Sequence, residues 1–198
     1  MAAYMKSIAP FFGIKAPDRK VIARELFDAY KTLPFKQLPA LVKALCAQPE
    51  RELHYLAMDW LYYRRKEFTP QTIHIIVWML GHKSWWDTVD FIATRCLGVW
   101  AEMYPQEAAP AMQQLIRSDN IWLARSAIIH QMHYGRRTDT ALLSAAILPH
   151  ASSKEFFLQK AIGWALRHYA RTNAAWVRAF TDATPLAALS RREARKYL

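Results

Sequence analysis

The sequence predicts an all-α fold, and three features of the chain support this prediction. Glycine is scarce, with 5 residues among 198, whereas alanine and leucine, which lose little entropy in a helix, are abundant. Prolines precede amphipathic stretches, and the first turn of a helix tolerates them because it does not need their missing N–H. No segment alternates apolar and polar residues as a half-buried strand would.

The helices are delimited by these prolines and by capping residues. The prolines at the starts are Pro17, Pro34, Pro49, Pro70, Pro105 and Pro185. The candidate N-caps are Thr69, Ser84, Asn120 or Asp119, Ser152 or Ser153, and Asn173. Together they predict helices over residues 17–31, 35–47, 50–66, 70–81, 85–103, 106–117, 120–134, 139–149, 153–171 and 173–182, with a short last helix near 190–197.

A repeat emerges when the sequence is compared with itself at an offset of 35 residues, where Phe91 aligns with Ser126 and Ala161. Two helices per about 35 to 40 residues is the size of a HEAT-like unit. Such a pair buries its apolar face by stacking on neighbouring pairs. We therefore expect a single domain over residues 1–198, a curved HEAT-like solenoid of antiparallel helix pairs with a basic concave face.

The net charge of +11, with a sequence pI near 9.8, predicts a polyanionic partner. Nucleic acid is the first candidate. A well-solvated basic surface and binding to an anionic membrane surface are the alternatives. The longest apolar run, 75–80, is too short to cross a bilayer. No signal peptide is evident, and Cys46 and Cys96 lack metal-binding spacing, so we expect free thiols in a reducing cytoplasm.

Three charged residues share the 35-residue spacing within largely apolar helices, namely Asp90, Arg125 and Lys160. Equivalent positions of a solenoid lie side by side, so the three should form a row. One interpretation is a functional row in which Arg125 binds a DNA phosphate. The other is a ladder of ion pairs between neighbouring helices, with Arg125 paired to Asp90.

Two tryptophans stand four residues from members of this row, Trp86 before Asp90 and Trp164 after Lys160. Side chains four apart share one helix face. An aromatic ring beside a carboxylate can hold a cation or shield one that forms during a reaction. The alternative is a core tryptophan and a salt-bridged aspartate. Gly163, inside a helix, is attributed to close helix packing. His130 and His133 lack a third ligand, so no metal or other cofactor is expected.

Several stretches resemble the AlkD family of DNA alkylation-repair glycosylases, which are HEAT-like repeat proteins. They comprise residues 4–6 with 12–19, 83–90 (KSWWDTVD), 118–125 (SDNIWLAR), 152–164 (SSKEFFLQKAIGW) and 189–194, in the family's order. The resemblance covers nearly the whole chain. Family members usually carry a further helix before the Tyr-Met-Lys segment that begins at Tyr4. We therefore expect Tyr4 to be weakly anchored and activity on bulky lesions to differ.

The resemblance implies hydrolysis of the N-glycosidic bond of N3- and N7-alkylated purines in double-stranded DNA, without conventional base flipping. It implies catalytic roles for Asp90, Trp86 and Trp164 and DNA-binding roles for Arg125, Lys160, Tyr4 and Lys15. The cationic base is already a good leaving group, so an ionised Asp90 needs chiefly to stabilise positive charge on the sugar and to position water. A monomer is expected. The alternatives are a non-catalytic DNA-binding protein and a protein-interaction scaffold.

Overall fold

The computed structural model describes residues 5–198. Its α-helices are α1 (Ala16–Ala29), α2 (Leu38–Ala47), α3 (Arg51–Tyr63), α4 (Thr72–Gly81), α5 (Trp86–Phe91), α6 (Gly98–Met103), α7 (Pro105–Ile116), α8 (Ile121–Ile129), α9 (Thr140–Ile147), α10 (Phe156–Ala170), α11 (Ala174–Ala183) and α12 (Ala188–Ala194). No strand occurs among these residues, which confirms the all-α prediction. Curvature and a concave basic face stay predictions.

The predicted helix starts agree with the structure where a side chain caps the first turn. Asn120 accepts a hydrogen bond from the backbone N–H of Trp122 at 2.9 Å, and Asn173 accepts one from Trp176 at 3.0 Å. The predicted cap at Ser84 is wrong. Its hydroxyl donates instead to the carbonyl oxygen of Leu80 at 2.6 Å, and Trp85 occupies the N-cap position. The serine therefore closes the end of α4, and α5 begins one residue later than a Ser84 cap would require.

The helix predicted over 85–103 is continuous but changes its winding in the middle. Between α5 and α6, residues Ile92–Leu97 form a π-helical segment. Such segments are rare and are frequent at functional sites. Thr94 donates its hydroxyl hydrogen to the backbone oxygen of Asp90 at 2.7 Å. At the start of α6, a Cβ on Gly98 would lie 2.6 Å from the backbone oxygen of His130, so only glycine permits this close approach.

The chain divides into two compact units, and the first extends to Ile75. In it, α1 and α2 pack on α3, and Leu38, Val42 and Leu61 are fully buried. The buried carboxylate of Glu52 on α3 accepts hydrogen bonds from three consecutive backbone N–H groups, those of residues 12–14, at 3.0–3.2 Å. This arrangement ties the segment before α1 to α3.

The second unit runs from Ile76 to Leu198, and α10 lies at its centre. This helix packs against α8, α11 and α12, while α8 also packs against α5 and α7. The core includes Trp100, Ile129 and Leu166, each fully buried. The single domain expected over 1–198 stays a prediction, which one cooperative calorimetric transition would support. Within 5–198, no helix has the length and apolar character needed to span a bilayer.

Candidate functional site

Asp90 and Arg125, from α5 and α8, form a bidentate ion pair. Arg125 Nε donates to Asp90 Oδ1 at 2.7 Å, and Arg125 Nη2 donates to Asp90 Oδ2 at 2.8 Å. The remaining guanidinium nitrogen, Nη1, donates to the backbone oxygen of Phe157 on α10. The Arg125 side chain is 5% exposed and that of Asp90 is 17% exposed. The carboxylate is therefore fixed by a buried cation while part of it still reaches the surface.

The protonation state of Asp90 depends on two opposing effects. Burial raises the pKa of its carboxyl, and the nearby Asp87 adds to the rise, whereas Arg125 opposes both. Each carboxylate oxygen accepts a hydrogen bond from the guanidinium group, which is always charged and only donates. A protonated carboxyl would turn one of those oxygens into a donor. The geometry is therefore that of an ionised aspartate.

An aromatic cluster that the sequence analysis missed lies beside this ion pair. It consists of Trp85, Trp122 and Phe157. The ring centroids of Trp85 and Trp122 are 5.6 Å apart, those of Trp85 and Phe157 are 5.2 Å apart, and those of Trp122 and Phe157 are 4.8 Å apart. Trp85 directly precedes α5, and Trp122 and Phe157 are the second residues of α8 and α10. Aromatic residues recurring near the starts of these helices were therefore the available signal.

The two tryptophans predicted for catalysis lie on the helices that carry the cluster. Trp86 is the first residue of α5, one turn before Asp90, and is half-buried. Trp164 lies in the middle of α10, is also half-buried, and lines an open cavity in the second unit.

Lys160, the third member of the predicted row, pairs with a different carboxylate. Its Nζ lies 3.3 Å from Glu193 Oε1 on α12, and Arg167 Nη1 donates to Glu193 Oε2 at 2.6 Å. Burial opposes ionisation of Glu193, but the hydrogen bonds from Lys160 and Arg167 outweigh it and lower the pKa of this carboxyl. Within the row, Asp90 and Arg125 therefore pair with each other, as one of the two interpretations expected, whereas Lys160 pairs with a carboxylate outside the row.

The remaining predicted site residues belong to the start of the chain. Lys15 is exposed at the N-cap position of α1 in the first unit, directly after the segment tied to Glu52. Tyr4 lies outside the described residues. Across 5–198, no three His, Cys, Asp or Glu side chains are grouped as metal ligands.

The second unit of this helical-repeat protein thus contains a carboxylate that is paired with an arginine and lies beside clustered aromatic rings. The family model described as DNA alkylation repair enzyme matches residues 1–198, and the chain belongs to this family. A solved structure described as a predicted DNA alkylation repair enzyme from Enterococcus faecalis is 33% identical, with a TM-score of 0.94 over 100% of this chain and 92% of that one. The helical-repeat fold is the one seen in that structure.

A second solved structure, that of smu.31 from Streptococcus mutans UA159, shares the fold at 15% identity. Its TM-score is 0.70, over 90% of this chain and 92% of that chain. A comparison with curated proteins found no match.

Proposed function

We propose that this protein is a DNA glycosylase that hydrolyses the N-glycosidic bond of cationic N3- and N7-alkylated purines in double-stranded DNA. The observation that supports this most directly is the half-buried Asp90 carboxylate, held by both of its oxygens to Arg125. A carboxylate fixed in this way can stabilise positive charge without reorganising during the reaction. Membership of a DNA alkylation repair family supplies the substrate class.

The chemistry needs an anion more than it needs an acid. Alkylation at N3 or N7 leaves the purine positively charged, so the base departs without prior protonation. As the glycosidic bond breaks, positive charge moves to the deoxyribose, and Asp90 would stabilise that charge and orient the attacking water. This scheme does not require extrusion of the base into a pocket, and we propose that the protein acts without conventional base flipping.

Arg125 would act mainly through Asp90. Of the five N–H bonds of its guanidinium group, three are directed at Asp90 and at the backbone oxygen of Phe157. The phosphate contact predicted from sequence would use the other two. Arg125 is therefore proposed chiefly as a positioning residue that keeps Asp90 ionised and in place.

Trp86 and Trp164 would pack against the sugar and the cationic base. A cation over an aromatic ring contributes roughly 0.5–2 kcal/mol, depending on how far it is desolvated. Lys160, Lys15 and Tyr4 are proposed to contact the DNA strand. The excess of positive charge, +11 for the chain, would strengthen binding at low salt. We further propose that the protein acts as a monomer in the cytoplasm.

The test is a base-release assay on duplex DNA containing N7-methylguanine or N3-methyladenine. The wild-type protein should release the free base, and Asp90→Asn should lose most of this activity. Asp87→Asn is the matched control, because it removes a carboxylate from the same helix and should keep most of the activity. Full activity in Asp90→Asn would remove Asp90 from the mechanism. DNA binding without base release by the wild type would favour the non-catalytic DNA-binding protein instead.

A further inference from the structure

A solvent-accessible cavity of about 180 Å³ opens in the second unit at the C-terminal half of α10. It is lined by Trp164, Arg167, His168, Arg171, Lys196 and Tyr197. None of the roles discussed so far requires Arg171, Lys196 or Tyr197. Trp164 has a role in the proposed chemistry at Asp90, but that chemistry does not explain the cationic part of the cavity.

Two parts of the chain build this cavity. On α10, Trp164, Arg167 and His168 lie three or four residues apart, so they share one helix face, and Arg171 continues it. Lys196 and Tyr197 follow α12, which packs closely on α10. Gly163 permits this packing, since a Cβ there would lie 2.4 Å from the Cβ of Glu193.

The lining is strongly cationic. Arg167, Arg171 and Lys196 are positively charged at neutral pH, and Glu193 directly pairs with only the first of these. Burial and the neighbouring Arg171 lower the pKa of His168, so its ring is neutral at pH 7 and can donate one N–H. Basic residues at a helix C-terminus also favour the helix dipole, but this does not account for a cation and a tyrosine brought from beyond α12.

The size of the cavity limits its ligand. A volume of about 180 Å³ is several times the roughly 30 Å³ that one water molecule occupies in the liquid. It is smaller than the roughly 300 Å³ at which pockets for drug-sized ligands begin. A phosphate group with part of its sugar fits this range. Arginine and lysine are the side chains that bind phosphate oxygens, and the rings of Trp164 and Tyr197 offer apolar faces to a sugar.

We infer that this cavity binds one backbone phosphodiester of the DNA, with Arg171 and Lys196 as its cationic ligands. The inference rests on the proposed function, because it presupposes that DNA is bound. It adds Arg171 and Lys196 to the residues proposed to contact the DNA strand. Such a site would fix the position of the strand along α10, the helix that carries Trp164 and Lys160.

The test measures how DNA affinity depends on salt for Arg171→Gln, Lys196→Gln and the matched control Arg192→Gln. Arg171, Lys196 and Arg192 are all exposed, so the three variants should fold, and Arg192 does not line the cavity. The probe is a duplex with one N7-methylguanine and no terminal phosphates. The slope of log K against log[NaCl] is negative. Its magnitude should decrease by about 1 in each cavity variant and by clearly less in Arg192→Gln. Equal slopes in all three variants would overturn the inference.

A scan with methylphosphonates, which replace one charged phosphodiester at a time by a neutral one, locates the phosphate. One position should weaken wild-type binding and should weaken the binding of Lys196→Gln less, because Arg171 alone then holds that phosphate. If no position behaves in this way, the inference fails. If inorganic phosphate, but not the duplex, gives a response that depends on Lys196, the site is for free phosphate and the inference also fails. Absence of base release would overturn only the proposed function, since both measurements require binding alone.

Discussion

Both carboxylate oxygens of Asp90 accept hydrogen bonds from a single guanidinium group, that of Arg125, 35 residues further along the chain. The interval equals the repeat of the sequence, so equivalent positions of neighbouring repeats form a single ion pair. Arg125 also holds the backbone of Phe157, at the start of α10. One side chain thus connects α5, α8 and α10 and contacts the residue proposed for catalysis.

Arg125→Lys should impair base release although it preserves the charge. An ammonium group cannot donate to both oxygens in the planar, bidentate manner of a guanidinium group. Loss of one charge-assisted hydrogen bond of about 1.5–3 kcal/mol corresponds to a decrease in kcat/KM of roughly ten- to a hundredfold. Single-turnover rates on N7-methylguanine DNA measure this effect. Arg178→Lys, at an exposed position on α11, is the control, and equal rates for wild type and Arg125→Lys would contradict the positioning role.

The same variant should shift the acid limb of the pH–rate profile. Arg125 opposes the rise in the Asp90 pKa that burial causes, so weakening the pair should raise that pKa further. Catalysis that needs the carboxylate is lost as pH falls through this pKa, and the loss should therefore begin at higher pH in Arg125→Lys than in wild type. Base release measured between pH 4 and 8 tests the direction. An acid limb that stays in place or moves downward would show that Asp90 is not the group observed.

Acid should destabilise the protein partly through His130. This residue is 2% exposed, its Nδ1 hydrogen-bonds the backbone oxygen of Ala127 at 2.8 Å, and burial lowers its pKa to about 4. Because the folded pKa lies below the unfolded value of about 6.5, stability is lost as pH falls from 6.5 towards 4, by about 3 kcal/mol in total. Urea denaturation at several pH values should show a smaller loss in His130→Gln. Parallel curves for the two proteins would argue against this role.

Gly163→Ala should destabilise the protein even though alanine is the better helix former by about 1 kcal/mol. The new Cβ would lie 2.4 Å from the Cβ of Glu193 and 3.1 Å from the backbone oxygen of Ser190, so α12 must move. Overpacking of this kind costs about 1–3 kcal/mol. Gly81→Ala is the control, because its Cβ would meet only a side-chain atom at 4.0 Å. Thermal unfolding should show a lower Tm for Gly163→Ala alone, and similar Tm values would be evidence against close packing.

Glu193→Gln should make DNA binding more sensitive to salt. Glu193 holds Lys160 and Arg167 at its two carboxylate oxygens, and its loss frees both cations to approach phosphates. The slope of log K against log[NaCl] should become steeper by about 1. Glu102→Gln removes the carboxylate of another pair, with the exposed Arg137, and should leave the slope nearly unchanged. A shallower slope in Glu193→Gln would mean that the pair itself assists binding.

The helices could be predicted from sequence because their determinants are local. Proline positions, the side chains of Asn120 and Asn173, and the apolar period act within one turn of the helix. Partner choice is not local, and the pairing of Arg125 with Asp90 stayed one of two alternatives because packing between helices decides it. The aromatic cluster was missed for a geometric reason. Trp85 precedes α5 and has an extended backbone. The direction of its side chain could therefore not be obtained from helical spacing.

The π-helical segment after Asp90 changes the rotation of α5 about the helix axis relative to α6. Wider winding between Ile92 and Leu97 accommodates one residue more than regular α-helical turns would. If the same residues formed regular α-helical turns instead, α5 would be rotated by about 100° relative to α6. Gly98 fixes α6 against the backbone of His130, so the rotation would fall on Trp86 and Asp90. The orientation of the proposed catalytic carboxylate thus depends on the winding of this segment as well as on the residues that touch it.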